Sequence, residues 1–218
     1  MDDMIDPTHL ALYCAAAFLL AITPGPGIFY VAARTLAGGR AEGMASSLGT
    51  GFGGLVHVAA GSVGVSAIIL SSAELFAALK LVGAAYLVWL GFRTFRSARR
   101  DAVISLEAGD DSAVGVRRAF REGVLVEALN PKTAAFFLAF IPQFVNPASG
   151  YVAVQFMVLG GISVVLNTLA DVLVALAAGR IRKGAAERPG VIRRLREVSG
   201  GAMIALGLGL AFARRPVS

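Results

Sequence analysis

The chain has 218 residues, of which 56% are hydrophobic and 16% are charged, whereas roughly 25% are charged in ordinary soluble domains. The mean hydropathy is +0.72. The net charge of +6 does not indicate nucleic-acid binding, because the arginines are spread over short segments between apolar runs. The single cysteine, Cys14, excludes a disulfide framework and a cysteine-rich metal site. This composition is typical of an integral membrane protein.

Six apolar segments reach the length of about 20 residues that a helix needs to cross the hydrocarbon core. The first, second and fifth are longer than this, which predicts tilted or broken helices. The last includes part of its basic flank, so a five-span protein is the alternative. The fold class predicted is an all-α integral membrane protein with six transmembrane helices. These spans are residues 9–36, 43–70, 74–95, 119–144, 151–179 and 192–213.

The basic residues predict the orientation of the spans. Sixteen arginines and lysines lie in the first, third and fifth connections, and two, Arg214 and Arg215, lie on the opposite side. By the positive-inside rule, these three connections are cytoplasmic and both termini are outside. The acidic N-terminus lacks the basic region of a signal peptide, so the first apolar run is predicted to be retained.

The two halves of the chain resemble each other weakly. A shift of 107 residues aligns Pro24 with Pro131 and Gly53 with Gly160. Three helices in each half is an odd number, so the halves would have opposite orientations, an inverted repeat typical of secondary transporters. The predicted units are a first three-helix repeat at residues 1–96, a cytoplasmic linker at 97–118 and a second repeat at 119–218.

Proline-containing segments lie near the middle of the first and fourth spans. Proline removes a helical donor and clashes with the preceding turn, so both spans are predicted to be broken there. Carbonyls freed in hydrocarbon need partners in the protein or in a water-lined cavity, and helix N-termini favour anionic groups. These segments are therefore the predicted substrate site. Its residues are Thr23, Pro24, Gly25, Pro26, Asn130, Pro131 and Lys132.

Lys132 is a cation at mid-depth, where charged groups are rare and usually functional. Two roles are open from the sequence: pairing with a substrate carboxylate, or a structural pair with Glu127. Glu127 is also a candidate for carrying a coupling proton. Two breaks at matching positions, one of which carries a cation, favour a substrate site over a pair of structural kinks.

Two further residues are candidates for proton coupling. Ser163, Asn167 and Asp171 recur every four residues, so they lie on one helix face that points to the interior. Asp171 either carries a coupling proton or pairs with Arg180 or Arg182. His57 either relays protons or makes an interhelical hydrogen bond. It lies on a helix with a ladder of small residues, including Gly49, Gly53 and Gly61, which lets a neighbouring helix approach closely.

No motif of an enzyme is visible. The glycine-rich run 49–54 resembles a nucleotide loop, but no strand precedes it and it lies within a predicted span. The chain has no nucleophile motif, no Walker motif and only two isolated histidines. The sequence therefore predicts no catalytic residues, no metal site and no cofactor.

Several motifs together resemble the LysE/RhtB family of amino-acid exporters. They are Thr23-Pro24-Gly25-Pro26, Lys80-Leu-Val-Gly83-Ala-Ala-Tyr86, Phe120-Arg-Glu-Gly123, Asn130-Pro131-Lys132 and Gly200-Gly201. The resemblance implies a six-helix exporter of amino acids or close derivatives in the bacterial inner membrane, driven by proton exchange. The chain departs from the family pattern at Gly27 and Glu127, where many relatives carry asparagine. The identity of the substrate is therefore not carried over.

The leading hypothesis is efflux of an amino-acid-like substrate by alternating access, with protons and membrane lipid as the other partners and no nucleic acid. Two alternatives are an ion or metal transporter on the same fold and a membrane scaffold whose glycine ladder serves partner helices. The sequence is compatible with a monomer and with a homo-oligomer.

Overall fold

The computed structural model describes residues 7–71, 73–107 and 113–181, together with nine residues between 194 and 211. The described residues form helices and turns without strands. A π-helical turn, Phe136–Phe140, and two 3₁₀ turns, Ile141–Phe144 and Pro147–Ser149, connect the sixth helix to the seventh. The helices are α1 (Pro7–Ile22), α2 (Pro26–Gly38), α3 (Arg40–Ser71), α4 (Ala73–Glu107), α5 (Val116–Ala128), α6 (Pro131–Ala135) and α7 (Val152–Ile181).

Both predicted breaks are present. α1 and α2 are bent by 45° at their junction, and α5 is bent by 40° against segment 131–144. Pro26 and Pro131 stand at the starts of α2 and α6, where a missing N–H leaves no helical bond unmade. The Asn130 side chain caps α6 by accepting a hydrogen bond of 3.0 Å from the backbone N–H of Lys132. The prediction of broken first and fourth helices is therefore confirmed.

Length and composition support a membrane protein. Segments 40–67 and 152–179 are long and apolar enough to cross a bilayer, and each bent pair adds one candidate, which brings the total to four in the described part of the chain. The predicted third span lies within α4, which is not among these candidates. The predicted sixth span lies mostly outside the described residues. The six-span count and the inverted repeat stay predictions.

The third helix is longer than the predicted 74–95. α4 continues to Glu107 and α5 begins at Val116, while the division into two repeats and a cytoplasmic linker at 97–118 stays a prediction. Segment 97–107 contains arginines and carboxylates but no glycine or proline. Such residues are compatible with a helix outside the bilayer, although they end the apolar pattern on which the predicted boundary depended.

The glycine ladder of α3 brings helices into backbone contact, as predicted. A Cβ atom on Gly49 would lie 2.2 Å from the carbonyl oxygen of Phe120, and one on Gly123 would lie 2.7 Å from that of Ser46. α3 and α5 therefore pack at a distance that larger residues cannot match. On α7, the ring of Phe156 fills the space beside Gly61. These glycines thus pack against helices of the same chain.

We expect Gly49→Ala to destabilise the protein, because the added methyl group collides with backbone that cannot rotate away. Overpacking of this kind costs about 1–3 kcal/mol. Gly64→Ala is the matched control on the same helix, since a Cβ there would meet nothing within 4 Å. Thermal unfolding of the detergent-solubilised protein should show a lower melting temperature for Gly49→Ala only. Equal melting temperatures for the two variants would contradict this packing.

Candidate functional site

Lys132 reaches from the second break into the first. Its side chain is 3% exposed, and its Nζ donates hydrogen bonds to the carbonyl oxygens of Leu20 at 3.2 Å and Thr23 at 3.0 Å. Pro24 has no N–H with which to continue the helical pattern, and the Leu20 carbonyl accepts from the N–H of Thr23 at 3.1 Å instead. The buried ammonium is therefore an additional donor to carbonyl oxygens at the first break.

These contacts differ from the structural pair with Glu127 that the sequence allowed, while pairing with a substrate carboxylate stays a prediction. In this conformation its ammonium bonds to backbone carbonyls, and no ion pair joins it to Glu127, both being described residues. The side chain also runs close to the first break, where a Cβ on Gly25 would lie 3.2 Å from its Cε. An ammonium has three N–H donors, so one remains beyond the two carbonyl contacts.

Glu127 organises the second break. It is 1% exposed. One carboxylate oxygen accepts from Asn130 Nδ2 at 2.8 Å and the other from Thr133 Oγ1 at 2.6 Å. Its backbone carbonyl lies 2.9 Å from His57 Nε2 on α3. His57 thus makes the interhelical hydrogen bond that was one of its two predicted roles.

Gly27 and Glu127, the two positions that depart from the LysE/RhtB pattern, face each other. A Cβ atom on Gly27 would lie 2.8 Å from Oε2 of Glu127. The carboxylate therefore occupies space that is open only because residue 27 has no side chain. The sequence shows each departure but not their contact, since the two residues are 100 positions apart and share no local pattern.

Asp171 lies on α7 and is fully buried. Its Oδ2 is 2.6 Å from Thr50 Oγ1 on α3, and its Oδ1 has no hydrogen-bond partner. The alternative partners from the sequence, the side chains of Arg180 and Arg182, lie outside the described residues. Thr50 is a member of this site that sequence reasoning missed, because one threonine on a helix of small residues gives no distinct signal.

A small cavity lies between α1, α3, α7 and the second break. About 20 Å³ of it is open to the centre of a water molecule, which is room for ordered water but not for an amino acid. Ser163 and Asn167 line it, so the prediction that the polar stripe of α7 points to the interior is confirmed. Other wall residues are Thr50, Glu127 and Thr133, with Ala17, Ala21, Phe136 and Phe137 on the apolar side.

The predicted substrate-binding residues surround this cavity without lining it. Lys132 bonds to the carbonyl of Leu20, and Asn130 bonds to Glu127, so each lies behind a wall residue. Thr23, Pro24 and Gly25 are buried at the first break, Pro26 is exposed at the start of α2, and Pro131 is half-buried at the start of α6.

Two tyrosines, Tyr13 and Tyr30, connect helices on either side of the cavity. Where α1 begins, Tyr13 packs against Phe136, Phe140 and Phe144 with ring centroids 5.2–6.4 Å apart, and its hydroxyl donates to the Leu159 carbonyl at 2.7 Å. Towards the cytoplasmic side predicted from the basic residues, the hydroxyl of Tyr30 on α2 reaches α5. It lies 3.1 Å from both the Ala119 carbonyl and a Glu122 oxygen.

Comparison with known proteins gives consistent matches. A family model described as LysE type translocator matches residues 18–214. An uncharacterized membrane protein of Vibrio cholerae is 29% identical over 205 residues, which is 93% of this chain and 96% of that protein. The homoserine/homoserine lactone efflux protein of Salmonella typhimurium is 29% identical over 205 residues, 93% of this chain and 95% of the relative. The leucine efflux protein of an Enterobacter species is 26% identical over 149 residues, 67% and 68% respectively. No solved structure matches the chain.

The contact between Gly27 and Glu127 can be tested with a double-mutant cycle. We expect Gly27→Asn to collide with the carboxylate and Glu127→Asn to leave the Thr133 hydroxyl without its acceptor, so each lowers the melting temperature. The double variant should recover part of the loss, with a coupling of roughly 0.5–3 kcal/mol.

Thermal unfolding of the four proteins in detergent measures this coupling. Gly64→Asn combined with Glu127→Asn is the control, because Gly64 has no neighbour within 4 Å and its effect should add to that of Glu127→Asn. Strict additivity of Gly27→Asn and Glu127→Asn would show that the two positions do not interact.

Proposed function

Because the chain belongs to the LysE type translocator family, which consists of transporters and not enzymes, we propose that it exports an amino acid or a close derivative across the bacterial inner membrane. Relatives named as homoserine/homoserine lactone and leucine efflux proteins support an amino-acid cargo. One structural observation carries the proposal: two broken helices meet at a closed, partly polar cavity with a buried lysine and a buried carboxylate beside it.

Transport proceeds by alternating access. The cavity opens to the cytoplasm when the Tyr30 hydroxyl loses its contacts with Ala119 and Glu122. It opens to the outside when the aromatic rings packed around Tyr13 separate. The basic connections place the α2 end in the cytoplasm and both termini outside. The α1–α2 and α5–α6 breaks are the hinges of these movements, because interrupted helices can bend without losing further backbone hydrogen bonds.

The substrate carboxylate binds at Lys132 and the N-terminus of α2. The third N–H of the ammonium and the positive end of the helix dipole both favour an anion there. The substrate then competes with the Leu20 and Thr23 carbonyls for the ammonium, so its arrival loosens the first break. The amino group binds at Glu127, a wall residue with two buried oxygens. The substrate side chain lies against Phe136 and Phe137.

Exchange for protons supplies the energy, as the family resemblance implies. Three titratable residues are near enough to the cavity or its wall to take part, namely Glu127, Asp171 and His57. His57 is engaged with the Glu127 carbonyl at 2.9 Å, and the two carboxylates are the stronger candidates. The cycle is then an antiport of substrate against protons.

We expect expression of the protein to accelerate the release of at least one labelled amino acid from preloaded cells. Lys132→Met should lower that rate at least tenfold, because each lost hydrogen bond to a charged group is worth about 1.5–3 kcal/mol. Lys132→Arg should retain more activity than Lys132→Met, since it keeps donors at the break. Lys80→Met on α4 is the matched control and should export normally.

Equal amounts of each variant in the membrane, checked by immunoblot, make the rates comparable. Absence of accelerated export across a panel of all the common amino acids would contradict the proposed cargo. A normal rate for Lys132→Met would contradict the role of the lysine and leave the cargo intact.

A further inference from the structure

The Thr50 hydroxyl lies within hydrogen-bond distance of two acceptors if Asp171 is ionised, but it has only one hydrogen to donate. Thr50 Oγ1 lies 2.6 Å from Asp171 Oδ2 and 2.8 Å from the carbonyl oxygen of Ser47. A hydroxyl has one hydrogen to donate, and a carbonyl oxygen can only accept. Both contacts are hydrogen bonds at once when the Thr50 hydrogen points to Ser47 and Asp171 carries a proton that it donates to Thr50.

The burial of Asp171 points to the same state. The residue is fully buried, and its Oδ1 has no hydrogen-bond partner. An ionised carboxylate with an unbonded oxygen in this position would be strongly destabilised, because buried charges need hydrogen bonds and counter-charges. A neutral carboxylic acid leaves only a carbonyl-type oxygen unsatisfied, which is far less unfavourable.

Glu127 has the opposite surroundings. Both of its oxygens accept hydrogen bonds, one from the amide of Asn130 and one from the hydroxyl of Thr133. Neither contact needs a proton on the carboxylate, and an ionised carboxylate is an acceptor only. Lys132, one turn or less along the chain from these partners, supplies a nearby positive charge. The hydrogen-bond pattern therefore calls for a proton at Asp171 but not at Glu127.

We propose that Asp171 is the residue that carries the exchanged proton, that the Thr50 hydroxyl links it to the cavity, and that Glu127 stays ionised to hold the substrate amino group. This inference rests on the proposed function, because it names the proton carrier of that antiport. It also separates the roles of two carboxylates that the sequence could not distinguish.

The proton has a short path to the cavity. Thr50 is a wall residue of the cavity and the hydrogen-bond partner of Asp171. The Thr50 hydroxyl first rotates, so that its hydrogen points to a water molecule in the cavity and no longer to Ser47. The Asp171 proton then moves to Thr50 Oγ1 as the Thr50 hydrogen moves to that water molecule. This leaves Asp171 ionised, Thr50 neutral and the water protonated; the reverse transfer restores the acid.

Further charged and titratable groups lie on the helices around α7. On α3, Arg40 packs against α7, where a Cβ on Gly179 would lie 2.6 Å from its Cγ. From α5 and α6, Glu127 and Lys132 act on Asp171 through their charges. On α2, the Arg34 guanidinium lies over the Tyr30 ring at 5.9 Å. The remaining contacts are those of Tyr13 on α1 with Leu159, of Glu42 on α3 with the Gly115 N–H, and of His57 on α3 with the Glu127 carbonyl.

The test uses the full-length protein in proteoliposomes and compares two assays for each labelled amino acid of a panel that includes leucine and homoserine. One assay measures exchange of labelled for unlabelled substrate at equal pH, and the other measures transport driven by an imposed pH gradient. We expect Asp171→Asn, which keeps a donor for Thr50, to retain exchange within about twofold of the wild type. Its gradient-driven transport should fall at least tenfold. Glu127→Gln should lose both activities.

Each outcome discriminates. Gradient-driven transport that survives Asp171→Asn overturns the inference, and so does a folded Asp171→Asn protein that loses exchange, because Asp171 would then serve binding. If that variant does not fold, Thr50→Val is measured in its place with the same expectation of exchange without gradient-driven transport. A wild-type protein that is inactive in both assays with every amino acid would instead contradict the proposed function.

Discussion

A helix broken inside a hydrocarbon layer leaves backbone carbonyls that the protein itself has to satisfy, and in this chain a lysine does so. The Leu20 carbonyl accepts from the N–H of Thr23 at 3.1 Å, and Lys132 supplies a second donor from across the molecule at 3.2 Å. The same ammonium also binds the Thr23 carbonyl at 3.0 Å. Because Lys132 begins the second half of another broken helix, this interaction joins the two breaks. The cavity lies next to the point where the two breaks meet, and the Glu127 carboxylate is part of its wall.

In the proposed cycle, substrate binding at the joined breaks acts directly on the shape of the protein. A substrate carboxylate that binds Lys132 would remove donors from the first break, and an amino group that binds Glu127 would act on the second. Since the bend of each helix depends on those hydrogen bonds, binding changes the relative stability of open and occluded conformations. The glycines of α3 let the backbones of α3 and α5 pack in direct contact. A movement at the second break therefore moves α3 and α5 together. In the proposed cycle, the contact between Thr50 on α3 and Asp171 on α7 connects α3 to the exchanged proton.

The sequence predicts those features that proline, glycine and periodic polarity encode locally. Both breaks, the close approach at Gly49 and the inward face of Ser163 and Asn167 are of this kind. The partners of Lys132, the contact of Gly27 with Glu127 and the role of Thr50 depend on residues about 100 or more positions apart, for which one chain gives no register. The end of α4 was misplaced because hydropathy detects the bilayer boundary and not the end of the helix.

Alternate exposure of the cavity to the two sides of the membrane is the central claim, and a single cysteine tests it most directly. Ala21 lines the cavity and is 2% exposed, so Ala21→Cys in a Cys14→Ser background places one thiol at the centre. A membrane-impermeant thiol reagent is applied to whole cells and to inside-out vesicles, with and without a saturating exported amino acid. We expect labelling from both sides, with the substrate shifting the ratio of the two rates. Labelling from one side alone under every condition would contradict alternating access.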